Sequence, residues 1–127
     1  QNKIIFKQFI ENKSLDYCQI DSCRLASLNE IIPVLLMSSK FDIPVVPHAG
    51  GVGLCEYVQH INIVNKFLCS NNDFFLCEYA DSCWEHFENP SQIINGCYVT
   101  PVQNGYSVKI KDNSLNKFDF NTGEYWN

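Results

Sequence analysis

Seven apolar residues recur along one side of the stretch that follows Gly53: Leu54, Tyr57, Val58, Ile61, Val64, Phe67 and Leu68. Counted from Leu54, they fall at offsets of 0, 3, 4, 7, 10, 13 and 14, the repeat of a helix with one buried face. Such a helix must be covered along that face, and the neighbouring segments have the character to cover it. "DIPVVPH", residues 42–48, is β-branched and bounded by prolines, which predicts a strand. "LDYCQID", residues 15–21, alternates Asp16, Cys18 and Ile20 against Leu15, Tyr17, Gln19 and Asp21, a short strand ending on an acid. "FFLCEYA", residues 74–80, is a third strand and ends near Glu78.

Helical patterns separate these strands. "NKIIFKQFIENK" places Phe6, Phe9, Ile10 and Lys13 on one side of a helix. "SLNEIIPVLLMSSKF" opens with Ser27 and Glu30 in the relation of a capping box, and Pro33 falls in its first two turns, where proline does least harm. Helix and strand therefore alternate up to about Pro90, the signature of βα units on a parallel sheet, and the predicted fold class is α/β. Beyond Pro90, Gly, Asn and Pro take over, which predicts an irregular tail with a short hairpin.

Asp21, His48 and Glu78 each stand at or near the carboxyl end of a predicted strand, 27 and 30 residues apart. The ends of parallel strands converge on one face, where ligands bind. An imidazole with one nitrogen held by a carboxylate has a fixed tautomer and a stabilised cation, so a His48–Asp21 dyad can exchange protons near neutral pH. Glu78 on the next strand can hold a substrate oxygen. Gly50, Gly51 and Gly53 let the chain turn sharply and leave free N–H groups for an anion at a helix start. On these residues alone, a proton-transfer site and a satisfied core histidine fit equally well.

The rest of the chain narrows the function classes. Nine Lys and Arg against fourteen Asp and Glu, a net charge of −5, argue against a nucleic-acid partner. No apolar run approaches the roughly 20 residues that span a bilayer, so no membrane partner is expected. "QNKIIFKQFIENKS" carries lysines and a glutamate through its apolar stretch and does not read as a signal peptide. Seven cysteines, an odd number with no C-x-x-C pair, suit neither a zinc site nor a disulfide framework. They read as small buried hydrophobes in a reducing, intracellular compartment. A small doubly wound ligand-binding domain is disfavoured because no G-x-G-x-x-G follows a strand. Among the remaining polar residues, His60 is expected to be solvated, His86 to be structural, and Arg24 to pair with Asp21. Glu30 and Glu56 suit helix N-termini on dipole grounds alone. Trp84 and Trp126 are expected to pack.

"CQIDSCRLASLNEIIPVLLMSSKFDIPVVPHAGGVGLCEYVQH" resembles the later barrel strands of the enolase superfamily, in its mandelate racemase branch, and within that the L-fuconate dehydratases. "QIDSCR", "PHAGGVGLCE" and "CEYADSCWEHF" carry the resemblance through about Phe87, and "GYSVKI" and "GEYW" extend it more loosely. The resemblance implies the C-terminal portion of a (β/α)8 TIM barrel, about strands six to eight, in residues 1–90. It also implies that residues 91–127 are an extension packing on an N-terminal capping domain absent from this chain. Asp21 and His48 would be the dyad, and Glu78 the acid facing the substrate carboxylate or the enediolate, with Gly50 and Gly51 beside the substrate.

The implied reaction removes the proton next to a sugar-acid carboxylate and expels the β-hydroxyl, giving a 2-keto-3-deoxy acid. In that scheme a lysine on strand two takes the proton and the histidine protonates the departing hydroxyl. The cofactor would be Mg2+, with ligands expected upstream of Gln1 and none in this chain, so these 127 residues alone are expected to be inactive. The implied partner is an acid sugar such as L-fuconate, in a homo-oligomeric parent of the cytoplasm or mitochondrion. The alternative is a non-catalytic truncated barrel that binds a partner.

Overall fold

The computed structural model describes residues 1–68, 75–80 and 82–126. Cys69, Phe74 and the side chain of Leu68, which the sequence reading used, lie outside the described residues. Among the described residues, four α-helices appear in chain order: α1 (Lys3–Glu11), α2 (Leu28–Lys40), α3 (Leu54–Leu68) and α4 (Asp112–Phe118). A 3-10 turn covers Trp84–His86. The two-stranded ladder is a hairpin of β1 (Ile93–Ile94) and β2 (Cys97–Tyr98).

The first two predicted strands do pair in parallel, though briefly. Cys18 bridges Val45. The Cys18 N–H donates to Pro44 C=O, and the Val46 and His48 N–H groups donate to the carbonyls of Cys18 and Ile20. Pro44, Val46 and His48 thus turn their main-chain groups towards the first strand. Pro47 faces the other way, where its missing N–H limits pairing with the third segment, residues 75–80. That segment is extended but unladdered, and its link to Pro47 is the Glu78 N–H at 3.3 Å from the Pro47 carbonyl.

The core lies between these segments and the helices. Cys18, Ile20, Leu25, Ile31, Val34, Leu35, Val45 and Ile61 form one buried cluster. Ala49, Leu54, Cys55 and Val58 form a second, under the predicted site. The period of α3 holds where it can be followed: Leu54, Val58 and Ile61 are buried, while Phe67, near the helix end, is largely exposed. In α1 only Ile10 is fully buried and Phe9 is exposed. Lys13 lies past the end of α1 in a left-handed conformation, so it does not share the helix face predicted for it.

The predicted capping box does not form. Ser27 is the N-cap of α2, but its side chain makes no cap bond. Glu30 instead reaches α1, accepting from the Lys3 main-chain N–H at 2.8 Å and from its ammonium at 2.7 Å. A whole charged partner outcompetes one cap bond at this position, and it holds the Glu30 carboxyl below its ordinary 4.5. A lowered folded-state pKa gives stability that is present above the unfolded value and lost as pH falls through the folded one. Glu30→Gln is therefore expected to lower the urea midpoint at pH 7, with the gap to the parent closing as the pH drops below about 4. Equal midpoint gaps at pH 7 and pH 3 would contradict this tie.

The tail is more ordered than its composition predicts. Asn95 and Gly96, with φ of 51° and 76°, make the hairpin turn. Phe87 bridges Ile110 in antiparallel sense, and α4 follows. Exposed cysteines also depart from the sequence reading. Cys18 and Cys55 are buried, but Cys23, Cys83 and Cys97 are exposed, and Cys77 is in between.

Candidate active site

Asp21 ends the first extended segment inside a tight turn. Its Oδ1 accepts the Cys23 N–H at 2.7 Å, and its main-chain carbonyl accepts from Arg24 and Leu25. Such an aspartate turn orients the carboxylate by local backbone alone. Oδ2 is left to face the second segment, where it lies 3.2 Å from His48 Nδ1 and also 3.2 Å from Arg24 Nε. Arg24 pairs with Asp21 as expected, from an exposed position.

His48 is held by its own main chain on Ile20 and presents a ring that is one-third exposed. Nδ1 is shielded and lies within ion-pair reach of Asp21, but off the line a hydrogen bond requires. On the other side, Nε2 is 3.7 Å from Glu78 Oε2, and that same oxygen accepts the Ala49 N–H at 2.8 Å. The three sequence-predicted residues therefore converge on one imidazole, with a carboxylate at each nitrogen.

Gly53, with φ of 75°, makes the expected sharp turn, but Gly51 departs from the free-donor role expected of it. Gly51 donates its N–H to the Ala49 carbonyl at 2.9 Å and is not a free donor for an anion. Gly50 is a spacer: a Cβ there would stand 2.7 Å from His48 Nε2, so any side chain must displace the ring.

The resemblance implies Mg2+, and the donors can be tested for it. That ion takes near-octahedral oxygen ligands. Here Asp21 is committed to Cys23, Arg24 and His48, and Glu78 Oε2 to the Ala49 N–H. Among the described residues no group of three His, Cys, Asp or Glu side chains is arranged to hold a metal ion. The donor set does not fit Mg2+.

Other polar residues fall into structural roles, two of them against expectation. His60 is not solvated: it packs edge-on to Tyr106 at 5.9 Å, and burial pushes its pKa down. Glu56 is buried and does more than favour the α3 dipole, accepting the Ser91 N–H at 3.0 Å and anchoring the tail to the helix. His86 sits 3.0 Å from Ser114 Oγ and edge-on to Phe118, a structural role as expected. Trp84 and Trp126 are both about half exposed.

Residues 1–114 match the family described as enolase C-terminal domain-like. The chain belongs to that family. It is 48% identical, over 98% of its length, to mitochondrial enolase superfamily member 1 of Xenopus laevis and to that of Homo sapiens. It is 45% identical, over 94% of its length, to L-galactonate dehydratase of Hypocrea jecorina. The crystal structure of human mitochondrial enolase superfamily member 1 superposes with a TM-score of 0.91 over 98% of this chain and 29% of that one. This enolase-family chain thus spans little more than a quarter of the length of the curated relatives it matches, 28% and 26%. Its α/β fold is that of the family. Among the described residues no helix is long and apolar enough to cross a membrane.

Proposed function

We propose that the chain forms the proton-transfer side of an acid-sugar dehydratase, working within a longer protein. The observation that supports this most is the imidazole of His48 bracketed by Asp21 at Nδ1, 3.2 Å, and Glu78 at Nε2, 3.7 Å. Asp21 stands at Nδ1 and leaves Nε2 as the nitrogen that reacts. From there the imidazolium donates its proton to the departing β-hydroxyl of a sugar acid. Glu78 is read as the acid that faces the substrate carboxylate or the enediolate. Members of the enolase superfamily generally use Mg2+, and on this reading its ligands, with the base that removes the α-proton, come from other parts of the longer protein.

The substrate class is a six-carbon acid sugar such as L-fuconate or L-galactonate, and the product a 2-keto-3-deoxy acid. Residues 1–90 are read as part of a barrel and 91–127 as an extension against a capping domain. The well-exposed Ile4, Ile5, Phe9, Val102 and Phe120 are the kind of surface that such neighbours bury. The parent is read as a homo-oligomer of the mitochondrion or cytoplasm. Those apolar residues equally suit a purely partner-binding chain, but that reading leaves the bracketed His48 without a purpose.

The test is a chimera in which these residues replace the aligned segment of the Hypocrea jecorina L-galactonate dehydratase. Supplied with Mg2+, it is expected to convert L-galactonate or L-fuconate to a 2-keto-3-deoxy acid. A folded chimera that makes no such product from either acid would contradict the proposal.

A further inference from the structure

Tyr98 lies beyond the helix–strand alternation, at the end of β2, yet its hydroxyl donates to the main-chain carbonyl of Glu78 at 2.6 Å. The third segment needs such a tie. It has no ladder, and its bond from the Glu78 N–H to Pro47 is long, at 3.3 Å. Proline at position 47 cannot return a bond. With Tyr98 in place, the peptide before Glu78 is fixed to the residue preceding His48, and the peptide after it to the hairpin.

Tyr98 is well placed to hold this bond. Its ring packs on the cluster of Ala49, Leu54, Cys55 and Val58, and stands edge-on to Tyr79 at 5.9 Å. Among the described residues, the titratable groups around its hydroxyl are the thiols of Cys55 and Cys77. Burial raises the phenol well above its ordinary value, so it remains a neutral donor. Cys55 ties down the same segment two residues on, accepting from the Ala80 N–H at 3.3 Å and donating to its carbonyl at 3.1 Å. The Asn95–Gly96 turn sets the register that brings Tyr98 to this place.

We propose that Tyr98 is a positioning residue for Glu78: by holding the Glu78 carbonyl it sets the reach of the carboxylate towards His48 Nε2. This rests on the reading of Glu78 and His48 as one site. The hairpin then has a role in the chemistry without touching substrate.

The test is the 15N resonances of the His48 ring in the 127-residue chain, at one fixed pH, in four forms. These are the parent, Glu78→Gln, Tyr98→Phe, and the double variant. Among the described residues, the charged neighbours of the ring are Asp21, with Arg24 on the same carboxylate, and Glu78. Glu78→Gln is expected to move the Nε2 resonance, and Tyr98→Phe to move it the same way by less. Adding Tyr98→Phe to Glu78→Gln is expected to move it no further, because Tyr98 acts through that carboxylate. A merely structural tyrosine would lower the urea midpoint and leave Nε2 where it is, or would shift both backgrounds alike; either result overturns the role of Tyr98 with the Glu78 reading intact. An Nε2 resonance unmoved by Glu78→Gln removes that reading, and the role of Tyr98 with it.

Discussion

His48→Asn, placed in the L-galactonate dehydratase chimera, is expected to lower kcat by about 10²–10⁴-fold, the usual share of a positioned general acid. Asparagine keeps a polar group of similar bulk beside Asp21 and Glu78 but carries no transferable proton. Because the ring is one-third exposed and lies outside the two apolar clusters, the fold should tolerate the change. A urea midpoint close to that of the parent chimera, alongside the lost turnover, separates a chemical role from a structural one. Turnover within a few-fold of the parent would remove His48 from the reaction.

The largest stability effect is expected from Leu35→Ala. Leu35 is fully buried in the cluster that joins α2 to the first two extended segments. Truncating a leucine there costs its transfer free energy plus that of the cavity left behind, about 2–5 kcal/mol. Domains hold only about 5–15 kcal/mol in total, so the urea midpoint should fall by about 1 M or more. Leu36, the next residue, is half exposed on the same helix. Leu36→Ala should stay within about 0.5 kcal/mol of the parent, which controls for helix propensity. Equal losses at the two positions would mean that the packing around α2 differs from the one described.

Legibility in the sequence followed the physics of each element. Helices α2 and α3 were readable because each carries a buried stripe, through Ile31, Val34 and Leu35 in α2 and through Leu54, Val58 and Ile61 in α3, whereas α1 was readable from its spacing although it buries only Ile10. Asp21, His48 and Glu78 were readable because strand ends converge, and all three meet on one ring. The parallel strands themselves were only half legible, since Pro44 and Pro47 reduce the pairing to one bridge and a few bonds. Helix α4, "DNSLNKF", was missed because Asp, Asn and Ser favour turns when read locally. The partners of Glu30, Glu56 and Tyr98 were invisible for a different reason: each bond spans 20 residues or more. No local pattern encodes contacts of that range.

On the proposed mechanism, His48 delivers the proton that releases the β-hydroxyl. This step is tested most directly by incubating the chimera and its His48→Asn variant with the acid sugar in D2O, then analysing both product and recovered substrate. The variant is expected still to exchange the α-hydrogen of the substrate for deuterium while 2-keto-3-deoxy product falls away. Loss of exchange together with product would contradict it, because His48 would then be needed to break the C–H bond and not only to let the hydroxyl go.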